Sequence, residues 1–223
     1  MAQQSSQGHV PPDDLAPKGL STPRAAAVAG LVFAVLFVAS ILILRSFMEP
    51  SPSGLSALIN DLVGGHVGIV PGYLIPFAGI AFLWFIAVVR DQIGVYEDRF
   101  FSTVFLGSGF LFVAMLFTAA SVVAGVLALA PAGPTPDLGQ SIARAMLYGY
   151  GARSAGVFTI VASTITLRTG ALYRWAGFTG VAVGLVLLLS ASAFDLVILL
   201  FPAWVTLVSI LVLVMQFRSK VPE

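Results

Sequence analysis

The chain has 223 residues, 58% of them hydrophobic and 9% charged, with a formal net charge of +1 and a mean hydropathy of +1.00. A water-soluble domain cannot hide that much apolar surface, and so small a net charge offers no basic stripe for nucleic acid. The lack of cysteine excludes disulfides, thiolate metal sites and a cysteine nucleophile.

Residues Met1 to Arg24 are polar and carry Pro11, Pro12, Pro17 and Pro23, the composition of a disordered tail. They lack the basic-then-apolar layout of a cleavable signal peptide, so the first apolar run, 25–44, is expected to act as its own insertion signal. At about 20 residues it is long enough to span a bilayer, and Arg24 and Arg45 flank it. A polar interval follows, in which Leu55, Leu58, Ile59 and Leu62 recur at helical spacing behind Ser53. This pattern predicts a short helix lying in the outer interface.

The second span is expected over 71–89, with Pro71 at its start, Pro76 perturbing its first turns and Arg90 at its end. The third, 100–129, is too long for an upright crossing and must tilt, kink near Gly107 and Gly109, or project from the hydrocarbon. Pro131, Pro134 and Pro136 end it. The fourth, 145–167, is weaker because Arg153 interrupts it and Tyr148, Gly149, Tyr150 and Gly151 dilute its start. From Trp175 to Phe217 the sequence is apolar apart from Asp195 and Pro202, which predicts two spans, 175–194 and 196–217, joined by a tight turn near Ala193 to Asp195. Residues 218–223 form a short tail.

The expected fold is therefore all-α, a polytopic bundle of about six transmembrane helices with one interfacial helix. With both termini in the cytoplasm, Lys18, Arg24, Arg90, Arg99, Arg168, Arg174, Arg218 and Lys220 lie inside, and only Arg45, Arg144 and Arg153 lie outside or within the bundle. That distribution obeys the positive-inside rule and supports six spans; the expected location is a plasma membrane.

Arg153 and Asp195 are the leading site candidates, since a charge at the centre of a spanning helix costs about 2.5 to 3.5 kcal/mol on insertion scales. Gly149, Tyr150, Arg153, Gly156, Ile160 and Thr164 share one helical face, and Asp195, Pro202, Thr206 and Ser209 share another. Arg153 and Asp195 either form an ion pair that holds helices together or line a pocket for a ligand, a cluster that Arg45 and Tyr150 would join. At the other membrane surface, Glu97, Asp98 and Arg99 adjoin Phe100 and Phe101 and form either a solvated hairpin or a contact for a cytoplasmic partner. Gly177, Gly180 and Gly184, and separately Ser121 and Gly125, form small-residue ridges suited to close helix packing within one chain or between copies.

Traces of a membrane enzyme are sparse. The two histidines, His9 and His66, fall in the tail and the first outer loop, and Asp195 has no second intramembrane carboxylate to work with. No cofactor or metal is expected. The reading that fits is a non-catalytic membrane subunit or scaffold, in contact with the lipid bilayer and with a membrane-protein partner or a second copy. The alternative is a small-molecule or lipid transporter component with an outward-facing polar crevice around Arg153 and Asp195.

The segment from Leu83 to Ala119, with Arg90-Asp91, the Glu97-Asp98-Arg99-Phe100-Phe101 junction and Val104-Phe105-Leu106-Gly107-Ser108-Gly109, resembles a group of multipass bacterial membrane proteins, chiefly actinobacterial, of unknown function. That resemblance implies the same helical architecture and a bacterial inner membrane, and no activity.

Overall fold

The computed structural model describes residues 23–48, 54–63, 66–93, 99–129, 137–170, 172–189 and 195–218. The tail 1–22, Glu97, Asp98 and the turn residues Ala193 and Phe194 lie outside the described residues. Among those described, every regular element is a helix: α1 (Pro23–Met48), α2 (Leu55–Val63), α3 (Ile75–Ile93), α4 (Arg99–Leu129), α5 (Asp137–Arg144), α6 (Ala152–Thr169), α7 (Arg174–Leu189) and α8 (Leu200–Arg218). Four helical stretches are long and apolar enough to cross a membrane: Ala27–Arg45, Val70–Arg90, Phe100–Leu129 and Leu196–Met215. α6 is diluted by Arg153, Arg168 and several hydroxyls, and α7 is apolar but only 16 residues long.

Irregular helical turns precede two prolines, Pro76 and Pro202. Pro76 has no N–H for the carbonyl four residues back, and the turn before it, Val70–Leu74, is π-helical, with the Ile75 N–H donating to the Val70 carbonyl. At α8 the helix opens as a tight 3-10 turn, Asp195–Leu199, which ends three positions before Pro202.

α4 runs as α-helix for 31 residues, through Gly107 and Gly109. At a rise of 1.5 Å per residue it is about 46 Å long, and tilt, a bend or projection must absorb the excess over a hydrocarbon layer of about 30 Å. The helix that carries the fourth apolar run starts ahead of it, at Asp137 in the polar segment Asp137–Arg144, widens to a π-helical stretch over Ala145–Gly151, and continues as α6.

Phenylalanines fill the centre. Phe82 of α3 meets the rings of Phe33 (α1), Phe158 (α6), Phe112 (α4) and Phe201 (α8) at centroid distances of 4.7, 5.2, 5.3 and 5.4 Å. All five rings are fully buried, and most pairs meet edge to face, the arrangement that ring quadrupoles favour. This hub ties five helices together at one level.

α7 is attached differently. Gly156 of α6 and Gly184 of α7 approach so closely that a Cβ on either would lie 2.8 Å from the other's carbonyl oxygen. Gly177 fits against Leu167, and Gly180 against Ser163 and Trp204. The Gly177, Gly180, Gly184 ridge is thus used inside the chain. The Ser121 and Gly125 ridge of α4 is exposed, with open space around Gly125.

Candidate functional site

In an apolar medium a hydroxyl must find its acceptor locally, and most described ones do so within their own helix. Ser40, Ser108, Thr159 and Thr164 donate to the carbonyls of Leu36, Val104, Ala155 and Ile160 at 2.7 to 2.8 Å. Thr164, one of the shared polar face on α6, therefore does not reach across to another helix through this bond.

Arg153 sits one residue into α6, directly after the π-helical stretch. Its side chain turns back along the helix, and Nη1 donates to the Gly149 carbonyl at 2.8 Å. π-bulges commonly mark functional positions, and the Tyr-Gly-Tyr-Gly sequence before Arg153 has two small residues, Gly149 and Gly151, both buried there.

Beside Arg153 lies a groove of about 460 Å³ between α4 and α6. α4 contributes Val104, Gly107, Ser108, Leu111 and Met115. Tyr150, Ser154 and Val157 border it with Arg153 on the other side. The wall is almost wholly apolar, and it opens on the exposed face, where Gly107, Leu111 and Tyr150 are accessible. Ser108 and Ser154 spend their protons on the Val104 and Tyr150 carbonyls.

The predicted residues are thus separated. Tyr150 and Arg153 come together on the groove. Gly156 and Ile160, assigned to the same stripe, instead meet Gly184 of α7. Asp195 opens the 3-10 turn that packs on α7 and α8, and its side chain lies outside the described residues. Arg45 is in the last turn of α1, next to Leu44, which lines a separate apolar cavity of about 20 Å³ with Ala143 and Leu147. Arg99 opens α4, its side chain outside the described residues, as are Glu97 and Asp98. At the same end of α4, the Arg168 guanidinium lies 4.4 Å from the Phe101 ring centroid.

Sequence reasoning did not foresee the groove itself or the α4 side chains that form it; the exposed Gly107 was the available clue. Among the described residues no cluster of histidine, aspartate and glutamate is placed to hold a metal ion. No protein-family model matches the chain, and neither a curated protein nor a solved structure matches it.

Proposed function

We propose that this chain is a non-catalytic subunit or scaffold of a bacterial plasma membrane, crossing the bilayer six times with both termini in the cytoplasm and with α2 in the outer interface. The observation that carries this reading is the phenylalanine hub. Its rings occupy the level where five helices converge, leaving the centre to packing rather than to the polar relay that a pump or solute carrier needs.

The crossings beyond the four longest are supported by pairing. α6 and α7 adhere along their glycines, so a bilayer that surrounds one surrounds the other. Arg168 on Phe101 sets the end of α6 beside the start of α4, as expected if both face the cytoplasm. Leu44, Val123 and Ala143 cluster at the opposite ends of α1 and α4. Leu58 and Leu62 of α2 are exposed, which suits a helix resting on lipid. The resemblance of Leu83 to Ala119 to multipass actinobacterial proteins agrees with such a placement.

The transporter alternative draws its support from Arg153 on the groove. The groove runs beside the hub, however, and its wall is apolar.

Purification in mild detergent tests the proposal. A subunit or scaffold elutes with a stoichiometric membrane partner or as a defined homo-oligomer; a solitary monomer that retains its fold would count against it. Because the chain has no cysteine, topology can be read with Ser5→Cys and Ser219→Cys. An impermeant maleimide should label neither in intact cells and both after lysis, and labelling of either from outside would rule out the six-span form.

A further inference from the structure

We propose that the turn between α6 and α7 binds the phosphate of an anionic phospholipid of the surrounding bilayer through Arg168 and Arg174, with Tyr173 and Trp175 seated among the headgroups. The inference goes beyond the subunit reading and does not rest on it, since it needs only that the bundle sits in a bilayer.

Charge on this hairpin has one sign. Between Asp137 and Asp195 the chain contains no acidic residue, and Arg168 and Arg174 stand at the two ends of the turn, in the last turn of α6 and at the start of α7. Both are exposed, and neither has an ion-pair partner among the described residues. Arg168 lies over the Phe101 ring, 4.4 Å from its centroid, a contact that does not neutralise its charge. The neighbouring turn from α3 to α4 differs, for its Arg90 and Arg99 are accompanied by Asp91, Glu97 and Asp98.

Backbone bonds fix the turn that carries the two cations. Gly170 takes the left-handed conformation, φ 67°, and its N–H closes α6 on the Thr166 carbonyl at 3.0 Å. The Ala176 N–H opens α7 by donating to the Tyr173 carbonyl at 2.9 Å. One turn further in, Leu167 packs on Gly177, so the ends of α6 and α7 stay side by side. A guanidinium carries five N–H donors in a planar fork that matches the oxygens of a phosphate, and a phosphate has oxygens enough for two such forks.

The rings beside Arg174 select the source of that phosphate. Tyr173 and Trp175 stack with centroids 6.4 Å apart and planes 17° from parallel, and both are exposed. Amphipathic rings of this kind settle at the level of the lipid headgroups, where phospholipid phosphates lie. Two cations held at that level favour a lipid of net negative charge over a zwitterionic one.

The test is native mass spectrometry of the full chain released from nanodiscs of equimolar phosphatidylglycerol and phosphatidylcholine, with circular dichroism and thermal melting as controls for fold. Arg168→Gln and Arg174→Gln should each lower the preference for phosphatidylglycerol by about fivefold, and the double variant by about twentyfold. Arg90→Gln, which removes an exposed arginine at the same end from beside Asp91, should change it by less than about twofold. An undiminished preference in either single variant would overturn the proposal, showing that arginine to be neutralised by acids of a neighbouring turn. So would an equal loss in Arg90→Gln and Arg174→Gln, the mark of a diffuse field without a site. Binding of inorganic phosphate by the detergent-solubilised chain with the same arginine dependence, and no retained phosphatidylglycerol, would overturn it in favour of a soluble anion. An acidic polypeptide that co-purifies and is lost with the two arginines would overturn it in favour of a protein partner.

Discussion

Towards α7, α6 presents Gly156, and the two backbones come within reach of each other, Gly156 against Gly184. Towards α4 it presents Tyr150, Arg153 and Val157, and the helices part over a groove of about 460 Å³. One helix thus has a sealed side and an open side. In lipid the difference cannot come from hydrophobicity, because tails and side chains are equally apolar. It comes from shape, with glycines allowing contact and a long side chain beside an unfilled glycine preventing it.

The largest test concerns the hub on which both sides depend. Phe82→Ala should destabilise the folded bundle by about 3 kcal/mol, the lower end for phenylalanine truncation, because a ring expelled into lipid regains part of its dispersion contacts. Unfolding of detergent-solubilised protein by increasing dodecyl sulfate measures this, and a change near zero would mean that the rings do not hold the helices together.

Next in size is a challenge to the sealed side. Gly184→Leu pushes a Cβ into the Gly156 carbonyl and the Ile160 side chain, and backbone atoms cannot rotate away. The cost should be about 2 kcal/mol, as for overpacked cores, with faster proteolysis near residue 172 as α7 detaches. A fully stable variant would show that the seam is looser than described.

Much of this arrangement can be read from sequence, and what cannot has a physical reason. Long apolar runs with arginines at their ends announce α1, α3, α4 and α8, since hydrocarbon thickness fixes their length. Pro76 announces the disturbed turn before α3. The hub was not anticipated because helices that are apolar all round show no preferred face; only the spacing of Phe33 with Phe37 and of Phe105 with Phe112 hints at it. The π-helical stretch before Arg153 is hidden behind Pro131, Pro134 and Pro136, which read as the end of one element and conceal the helical start at Asp137. Arg153 and Tyr150 stand out as a pair at helical spacing, but the neighbour they face depends on the rotation of α6 about its axis. Gly156 against Gly184 fixes that rotation, and no local pattern encodes it.

A smaller effect is expected between α1 and α8. The Ser209 hydroxyl is buried beside Gly30 without a hydrogen-bond partner among the described residues. Ser209→Ala removes a polar group from an unsatisfied position and should leave stability unchanged or raise it by up to about 1 kcal/mol. A loss of similar size in the same dodecyl sulfate titration would show that the hydroxyl has a bonding role.

The smallest effect is expected on the open side and bears most directly on the contrast. Gly107 and Gly184 are both helical glycines, so replacing either changes intrinsic helix propensity in the same favourable direction. What differs is the space each faces: a Cβ at 184 meets α6, and one at 107 meets nothing within 4 Å. Gly107→Ala should therefore change unfolding by no more than about 0.5 kcal/mol, in the stabilising direction. Measured beside Gly184→Ala under identical conditions, the propensity gain cancels and the remainder is the packing cost of the α7 seam alone. Equal values for the two variants would mean that α4 lies against α6 as tightly as α7 does, and that the groove closes in the membrane.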